Sequence, residues 1–275
     1  MVAPLGIVAG KGTLPEKLIQ LCKRDNRPFV VLALTGQAEP ELVKDLPHIW
    51  LAMGAVEKAL AYFRENSVQD LVFVGAIQRP SLKHLTMDKT AAKWIAKIGI
   101  KAFGDDGLLS GILSLLEKEG FSIVRVQDVL QDLQVKPGAL GAQQPLDQDH
   151  ADIRRGVLAL KTLASLDMGQ ALIVEEGVIL SAEGAEGTSA LIKRTKDLQK
   201  TDHGGVLVKL TKAHQSHRVD MPTIGPETIK SAAAAGLAGI AIEADATLVL
   251  DSEVVIQEAN DAGLFVLAID PMEYA

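Results

Sequence analysis

Apolar residues in this chain come as short unbroken runs, separated by stretches in which they recur every three or four positions. Residues 4–9, Phe29–Leu34, His48–Leu51 and Leu71–Val74 have the length and continuity of buried strands. Helical spacing fills the intervals after Thr13, across Val56–Glu65 and across Asp88–Ile98. A further helix follows Gly104-Asp-Asp106, with Leu108, Leu109, Ile112, Leu113 and Leu116 on one face. Thr13 and Glu16 have capping-box spacing, with Pro15 in the first turn. Phe121–Val126 reads as the next strand. Strands that are apolar throughout and alternate with helices predict a parallel sheet covered on both faces.

The periodicity stops across 134–148, where Pro137, Gly138, Gly141 and Pro145 fall, and this stretch is the expected linker. It resumes as a helix near Asp149–Leu166 and strands at Ala171–Val174, Val178–Ser181 and Val206–Lys209. The tail alternates helix (Pro226–Ala234), strand (Gly239–Ile242), short strand (Thr247–Leu250), helix (Ser252–Ala262) and strand (Leu264–Ala268). The fold class is therefore α/β in two domains. Residues 1–133 hold a Rossmann-like parallel sheet, and 149–275 a smaller α/β domain expected to carry the chemistry.

Composition narrows the class. A chain of 275 residues can bury proper cores, and 48% hydrophobic with only 4% aromatic residues suits an aliphatic α/β protein. The single cysteine, Cys22, excludes an internal disulfide and reads as a buried structural thiol. The N-terminus lacks the pattern of a secretory signal, and no apolar run is long enough to span a membrane, so the cytoplasm is expected. A net charge of -7 argues against nucleic-acid binding but leaves room for a local anion site.

One segment departs from that acidity. Residues 193–218 hold seven Lys or Arg against two Asp, and three of the six histidines fall between 203 and 217. Lys209, Lys212, His214, Gln215, His217, Arg218 and Asp220 crowd into a dozen residues before a Pro222-Thr-Ile-Gly-Pro226 turn. Cations around one acid on a loop suit a phosphorylated ligand. Asp220, beside Arg218, can ligate a divalent cation, take a proton from water, or serve only as an ion pair.

Four other places carry candidate chemistry. Gly10-Lys11-Gly12 turns the first strand into a helix. It lacks the Walker spacing and the third glycine of a dinucleotide fingerprint, so it is either a phosphate-binding helix start or a tight turn. Arg79, beyond the C-terminal end of the Leu71–Val74 strand, can clamp a phosphate with two donors or lie solvated. Asp105 and Asp106 stand at a helix start, as caps or as contacts to a metal or hydroxyl. Glu183 precedes Glu186-Gly187-Thr188, which offers a carboxylate, a tight turn and an N-capping hydroxyl ahead of Lys193 and Arg194.

Nearly end to end, these motifs resemble the UDP-2,3-diacylglucosamine pyrophosphatases of the lipid A pathway, in the form unrelated to the calcineurin-like enzymes. The resemblance rests on Leu5-Gly-Ile-Val-Ala-Gly-x-Gly-x-Leu-Pro15, Val74-Gly-x-x-x-Arg-Pro80, Gly104-Asp-Asp-x-Leu-Leu109 and Glu186-Gly-Thr188. Most specific is Lys209-x-x-Lys-x-x-Gln-x-x-Arg-x-Asp-x-Pro-Thr-Ile-Gly225. It implies a magnesium-dependent hydrolase that cuts UDP-2,3-diacylglucosamine into UMP and 2,3-diacylglucosamine 1-phosphate, with water attacking the α-phosphorus. A homodimer and a transient contact with the inner membrane are implied with it. Residues and resemblance together assign Asp220, Lys209, Lys212 and Arg218 to catalysis, with Asp220 also on Mg2+. Substrate contacts are expected from Gly10, Lys11, Gly12, Arg79, Glu186, Gly187, Thr188, Gln215 and Thr223. The readings from other classes are a non-catalytic nucleotide-sugar or lipid carrier and a nucleotide-dependent oxidoreductase.

Overall fold

The computed structural model describes residues 3–77, 85–99, 105–164, 166, 168–211 and 221–274. The chain divides into two compact units, one running to Leu130 and one starting at Gln131.

In the first unit, β1 (Leu5–Ala9), β2 (Phe29–Leu34), β3 (His48–Leu51), β4 (Asp70–Val74) and β5 (Ser122–Ile123) form a parallel sheet in the order β3-β2-β1-β4-β5. Its helices are α1 (Leu14–Arg24), α2 (Val56–Glu65), α3 (Lys89–Ile98), α4 (Asp105–Lys118) and the short α5 (Val126–Val129). One face of the sheet, with Val8, Val30, Leu32, Leu71 and Phe73, packs with Leu60 and Phe63 of α2, Trp94 of α3, and Leu113 and Leu116 of α4. The alternate positions Leu5, Ile7, Val31 and Val72 are also fully buried, which is why these strands read as apolar throughout.

Two local expectations change here. Thr13 precedes α1 but makes no capping hydrogen bond, and Glu16 instead accepts from Gln20 one turn on. The apolar run at 121–126 pairs over only two residues of β5, because Val126 already opens α5. Cys22 is buried on α1, and burial pushes its thiol pKa up, as a structural cysteine requires.

The second unit, expected to be the lesser, carries the larger sheet. Its strands are β6 (Gly138–Ala139), β7 (Ala171–Glu175), β8 (Val178–Ala182), β9 (Val206–Lys209), β10 (Thr223–Ile224), β11 (Gly239–Glu243), β12 (Leu248–Val249) and β13 (Phe265–Ile269). The main sheet runs β6-β13-β11-β9-β7-β8, with β9, β11 and β13 parallel and β6 and β7 antiparallel to their neighbours, and β10 pairs separately with β12. The period of two sends Leu172, Val174, Val206 and Val208 toward α6 (Asp147–Ala164). Ile173, Leu207, Ile240 and Val266 join α7 (Thr188–Thr195), α8 (Pro226–Ala235) and α9 (Ser252–Asp261) on the other face.

The stretch 134–148 is tied into this unit rather than spanning between domains. Leu140 N–H donates to Val266 O at 2.9 Å, Asp245 N–H donates to Val135 O at 2.9 Å, and β6 edges β13. A two-residue edge strand among prolines and glycines leaves no apolar period to read. Among the described residues, no helix is long and apolar enough to cross a membrane.

Candidate functional site

In the second unit three of the predicted residues, Lys209, Thr188 and Thr223, meet at the C-terminal end of β9. Lys209 ends that strand only 5% exposed, and a buried ammonium must find acceptors. Its Nζ donates to Thr188 Oγ1 at 3.0 Å and to the Thr223 carbonyl at 3.1 Å. Three of the predicted residues thus share one hydrogen-bonded group. Thr223 reaches it from β10, and its own hydroxyl donates to Met221 O at 3.2 Å.

Thr188 arrives there through Gly187. That glycine caps α7 at φ 82°, a conformation L side chains avoid, so Thr188 becomes the first helical residue rather than the capping hydroxyl expected of it. Its hydroxyl hydrogen goes to Glu183 Oε1 at 2.7 Å. A hydroxyl has one hydrogen, so a lone pair of the same oxygen receives Lys209. Glu183, 6% exposed, fills its other oxygen with the N–H of Gln170 at 2.9 Å. The order Lys209 to Thr188 to Glu183 is therefore fixed in direction, and the lysine's positive charge is answered by a carboxylate one hydroxyl away.

Glu186 faces a different partner. It accepts from Arg194 and from Gly184 N–H, and Arg194 also binds Ser181 Oγ at 2.7 Å and the Ala182 carbonyl. Hydrogen bonds from its own and Gly184's backbone N–H, then from Arg194, hold the exposed Glu186 carboxyl below its ordinary value. Arg194 thus braces the loop between β8 and α7.

At the same sheet edge, Glu243 ends β11 and its Oε2 accepts both the N–H (2.7 Å) and the hydroxyl (2.5 Å) of Thr211. This fixes the chain where it leaves β9. Sequence reasoning missed Glu243, whose one signal is a carboxylate closing an apolar strand. In open α/β sheets, the edge beyond the carboxyl ends of parallel strands is where ligands bind. From Thr211 the chain enters 212–220 and re-emerges at Met221. Lys212, Gln215, Arg218 and Asp220, with His214 and His217, lie outside the described residues, as do Arg79 and the side chains of Asp105 and Asp106.

His203 does not belong to this group. It precedes β9, at the end of the strand opposite Lys209, and pairs with the buried Asp149 at 2.9 Å.

Gly10, Lys11 and Gly12 belong to the first unit, at the point where strand order reverses between β1 and β4. Gly10 N–H donates to Val74 O, Lys11 N–H to Ala76 O, and Ala76 N–H back to Lys11 O, at 2.8–2.9 Å. Two of the N–H groups offered as a phosphate cradle are thus committed to the end of β4 and the loop after it. A Cβ on Gly10 would lie 2.5 Å from Ala76 O, so close backbone approach accounts for that glycine. Only the α1 end of the motif, from Gly12 onward, keeps the geometry of an anion site.

Among the described residues no three His, Cys, Asp or Glu side chains gather as metal ligands. Both oxygens of Glu183 and one of Glu243 are already hydrogen-bonded. Magnesium commonly takes one or two carboxylates together with substrate phosphate oxygens and water.

Comparison with known proteins places both units in one family. The family model for the LpxI N-terminal domain matches residues 4–133, and that for the LpxI C-terminal domain matches 136–267. The chain is also 38% identical to the UDP-2,3-diacylglucosamine pyrophosphatase LpxI of Caulobacter vibrioides, over 98% of each chain. A match running through both units identifies this chain as a member of the LpxI family.

Proposed function

We propose that this protein hydrolyses the pyrophosphate bond of UDP-2,3-diacylglucosamine, giving UMP and 2,3-diacylglucosamine 1-phosphate, in lipid A biosynthesis. The observation that carries the reading is the 38% identity to a pyrophosphatase of that name over 98% of both chains. The geometry is in keeping with it. Lys209 is held as a fixed positive charge at the carboxyl end of the sheet, and the segment bearing Lys212, Arg218 and Asp220 begins three residues beyond it.

In this reading Lys209, Lys212 and Arg218 set positive charge against the phosphate oxygens, where negative charge grows as the bridging P–O bond breaks. Asp220 positions the attacking water or takes its proton. Asp220 would hold Mg2+, which would supply Lewis-acid charge neutralisation. Thr188 and Glu183 keep the Lys209 ammonium aimed. The reading includes a homodimer, and a cytoplasmic enzyme that meets the inner membrane briefly to collect a substrate with two acyl chains.

The test is UMP release from UDP-2,3-diacylglucosamine in 18O-labelled water, with and without Mg2+. Metal-dependent release is the expected result, and the label's place, in UMP or in the sugar phosphate, reads which phosphorus water attacks. Binding of substrate by folded protein without any release would overturn hydrolysis in favour of a carrier.

A further inference from the structure

Helix α3 differs from the protein around it. It carries Lys89, Lys93 and Lys97 at a spacing of four and no carboxylate along its length, in a chain of net charge -7. That spacing puts the three lysines on one face, and all three are exposed, together with Ala92 and Ala96. The opposite face anchors the helix through the buried Ala91 and Trp94. Of the acids around this face, Glu117 and Glu119 flank Lys118 of α4, Glu119 paired with Arg64, and two lie at the start of α3. Asp88 caps the helix by accepting from Ala91 N–H and also holds Glu57 N–H, while Glu57 accepts from the Thr90 hydroxyl. Among the described residues none of the three lysines enters an ion pair.

The lysine row runs into a cleft between α3 and α4. Gly111 lets the helices approach there, since a Cβ on it would lie 2.7 Å from the Ile98 side chain. Ile98 and Leu115 line the cleft with apolar surface, and Lys97 and Lys118 supply cations. The cleft is open to solvent and holds about 380 Å³. Just before the helix, Met87 is 37% exposed.

We propose that the exposed face of α3, with Lys118 of α4, is a docking surface for an anionic lipid bilayer, the α3–α4 cleft receiving apolar or headgroup atoms of a surface lipid. The argument is charge complementarity joined to an apolar recess, and both are properties of an anionic bilayer surface. A nucleic acid would use the lysines but not the recess. This inference rests on the proposed reading that the enzyme meets the inner membrane, and names the surface by which it does so. Each lysine near an anionic membrane contributes about fivefold to partitioning. Four together are worth up to several hundredfold at low salt, falling as salt screens them.

The experiment is co-sedimentation of the full chain with phosphatidylcholine vesicles, with or without about one-third phosphatidylglycerol, at low and high salt. The wild type is expected to bind the anionic vesicles only, and less at high salt. The variant Lys89→Gln, Lys93→Gln, Lys97→Gln, Lys118→Gln is expected to lose that binding by at least tenfold, yet hydrolyse detergent-dispersed UDP-2,3-diacylglucosamine at the wild-type rate. A control removing the same charge elsewhere, at Lys44, Lys136, Lys161 and Lys230, is expected to bind as the wild type does. Equal binding by the α3 variant, equal loss in the control, or retention on a single-stranded oligonucleotide but not on vesicles would each overturn the proposal. So would loss of activity toward dispersed substrate in the α3 variant alone. Absence of hydrolysis in the wild type with vesicle binding intact would strike the proposed reaction and leave the docking surface standing.

Discussion

The ammonium of Lys209 and the carboxylate of Glu183 are joined through the hydroxyl of Thr188, which accepts at 3.0 Å and donates at 2.7 Å. Thr188→Val keeps the shape of that residue and removes the link, leaving a buried cation and a buried carboxylate each short of a partner. Urea denaturation is expected to record a loss of about 1–3 kcal/mol. With Lys209 no longer aimed, UMP release is expected to slow by about tenfold to a hundredfold. Thr188→Ser, which restores the hydroxyl, should recover most of both. An unchanged rate in the valine variant would remove Lys209's orientation from the mechanism.

That relationship also marks how far the sequence could be read. Strands β1, β2, β4 and β9 were legible because burial on both faces leaves an unbroken apolar run, and α3 because its cap, Asp88, precedes a clean helical period. Thr188 was visible as a hydroxyl after a glycine, yet its role depended on Gly187's φ, which decides whether it caps the helix or enters it. Glu243 and Gln170 reach the site from distant elements by pairing that no local pattern encodes. His203 misled for the converse reason: four strand residues carry the chain from one edge of the sheet to the other. The stretch at 134–148 was legible only as a break, because its ties to Val266 and Asp245 are backbone hydrogen bonds, indifferent to side-chain pattern.

Stability should fall in acid partly through Glu175. Burial at the end of β7 opposes its charge, but the Thr201 hydroxyl and the N–H groups of Lys200 and Thr201 together outweigh it and hold the carboxyl below its usual value. A folded value below the unfolded one means that ionised Glu175 adds stability above the unfolded value of about 4.3. The contribution drains away as pH falls through the lower folded value. The stability gap between wild type and Glu175→Gln is therefore expected to shrink between about pH 5 and pH 3, in chemical denaturation repeated across that range. A gap constant with pH would mean the carboxylate is not held this way.

The glycines where the first unit's strand order reverses separate two physical costs. Gly12 has φ 98° with nothing near a would-be Cβ, Gly10 has a crowding oxygen at 2.5 Å, and Gly75 has both, with φ 90° and Lys11 O at 2.6 Å. Gly12→Ala is expected to cost about 1–2 kcal/mol from backbone strain alone. Gly10→Ala forces the Lys11–Ala76 bridge apart, and Gly75→Ala adds strain to the same clash. Thermal melts should rank Gly75→Ala as the most damaging of the three. Were Gly12→Ala to leave stability nearly unchanged but abolish nucleotide binding by calorimetry, the α1 end of the turn would be a phosphate contact.

Asp220 provides the sharpest chemical test because its assigned roles differ in what rescues them. Losing a general base typically slows an enzyme by about 10²–10⁴-fold. Asp220→Ala is expected to fall in or below that range for UMP release, with its melting temperature unchanged. Asp220→Asn keeps the side chain's size and an oxygen that can ligate, but it cannot accept a proton at neutral pH. If Asp220 acts mainly on the metal, the asparagine variant should regain part of the rate when Mg2+ is raised. If it acts mainly as base, added Mg2+ should do nothing, and the two variants should be equally slow. Activity above about a tenth of wild type in Asp220→Ala would take the residue out of the chemistry and shift the proton transfer to another group.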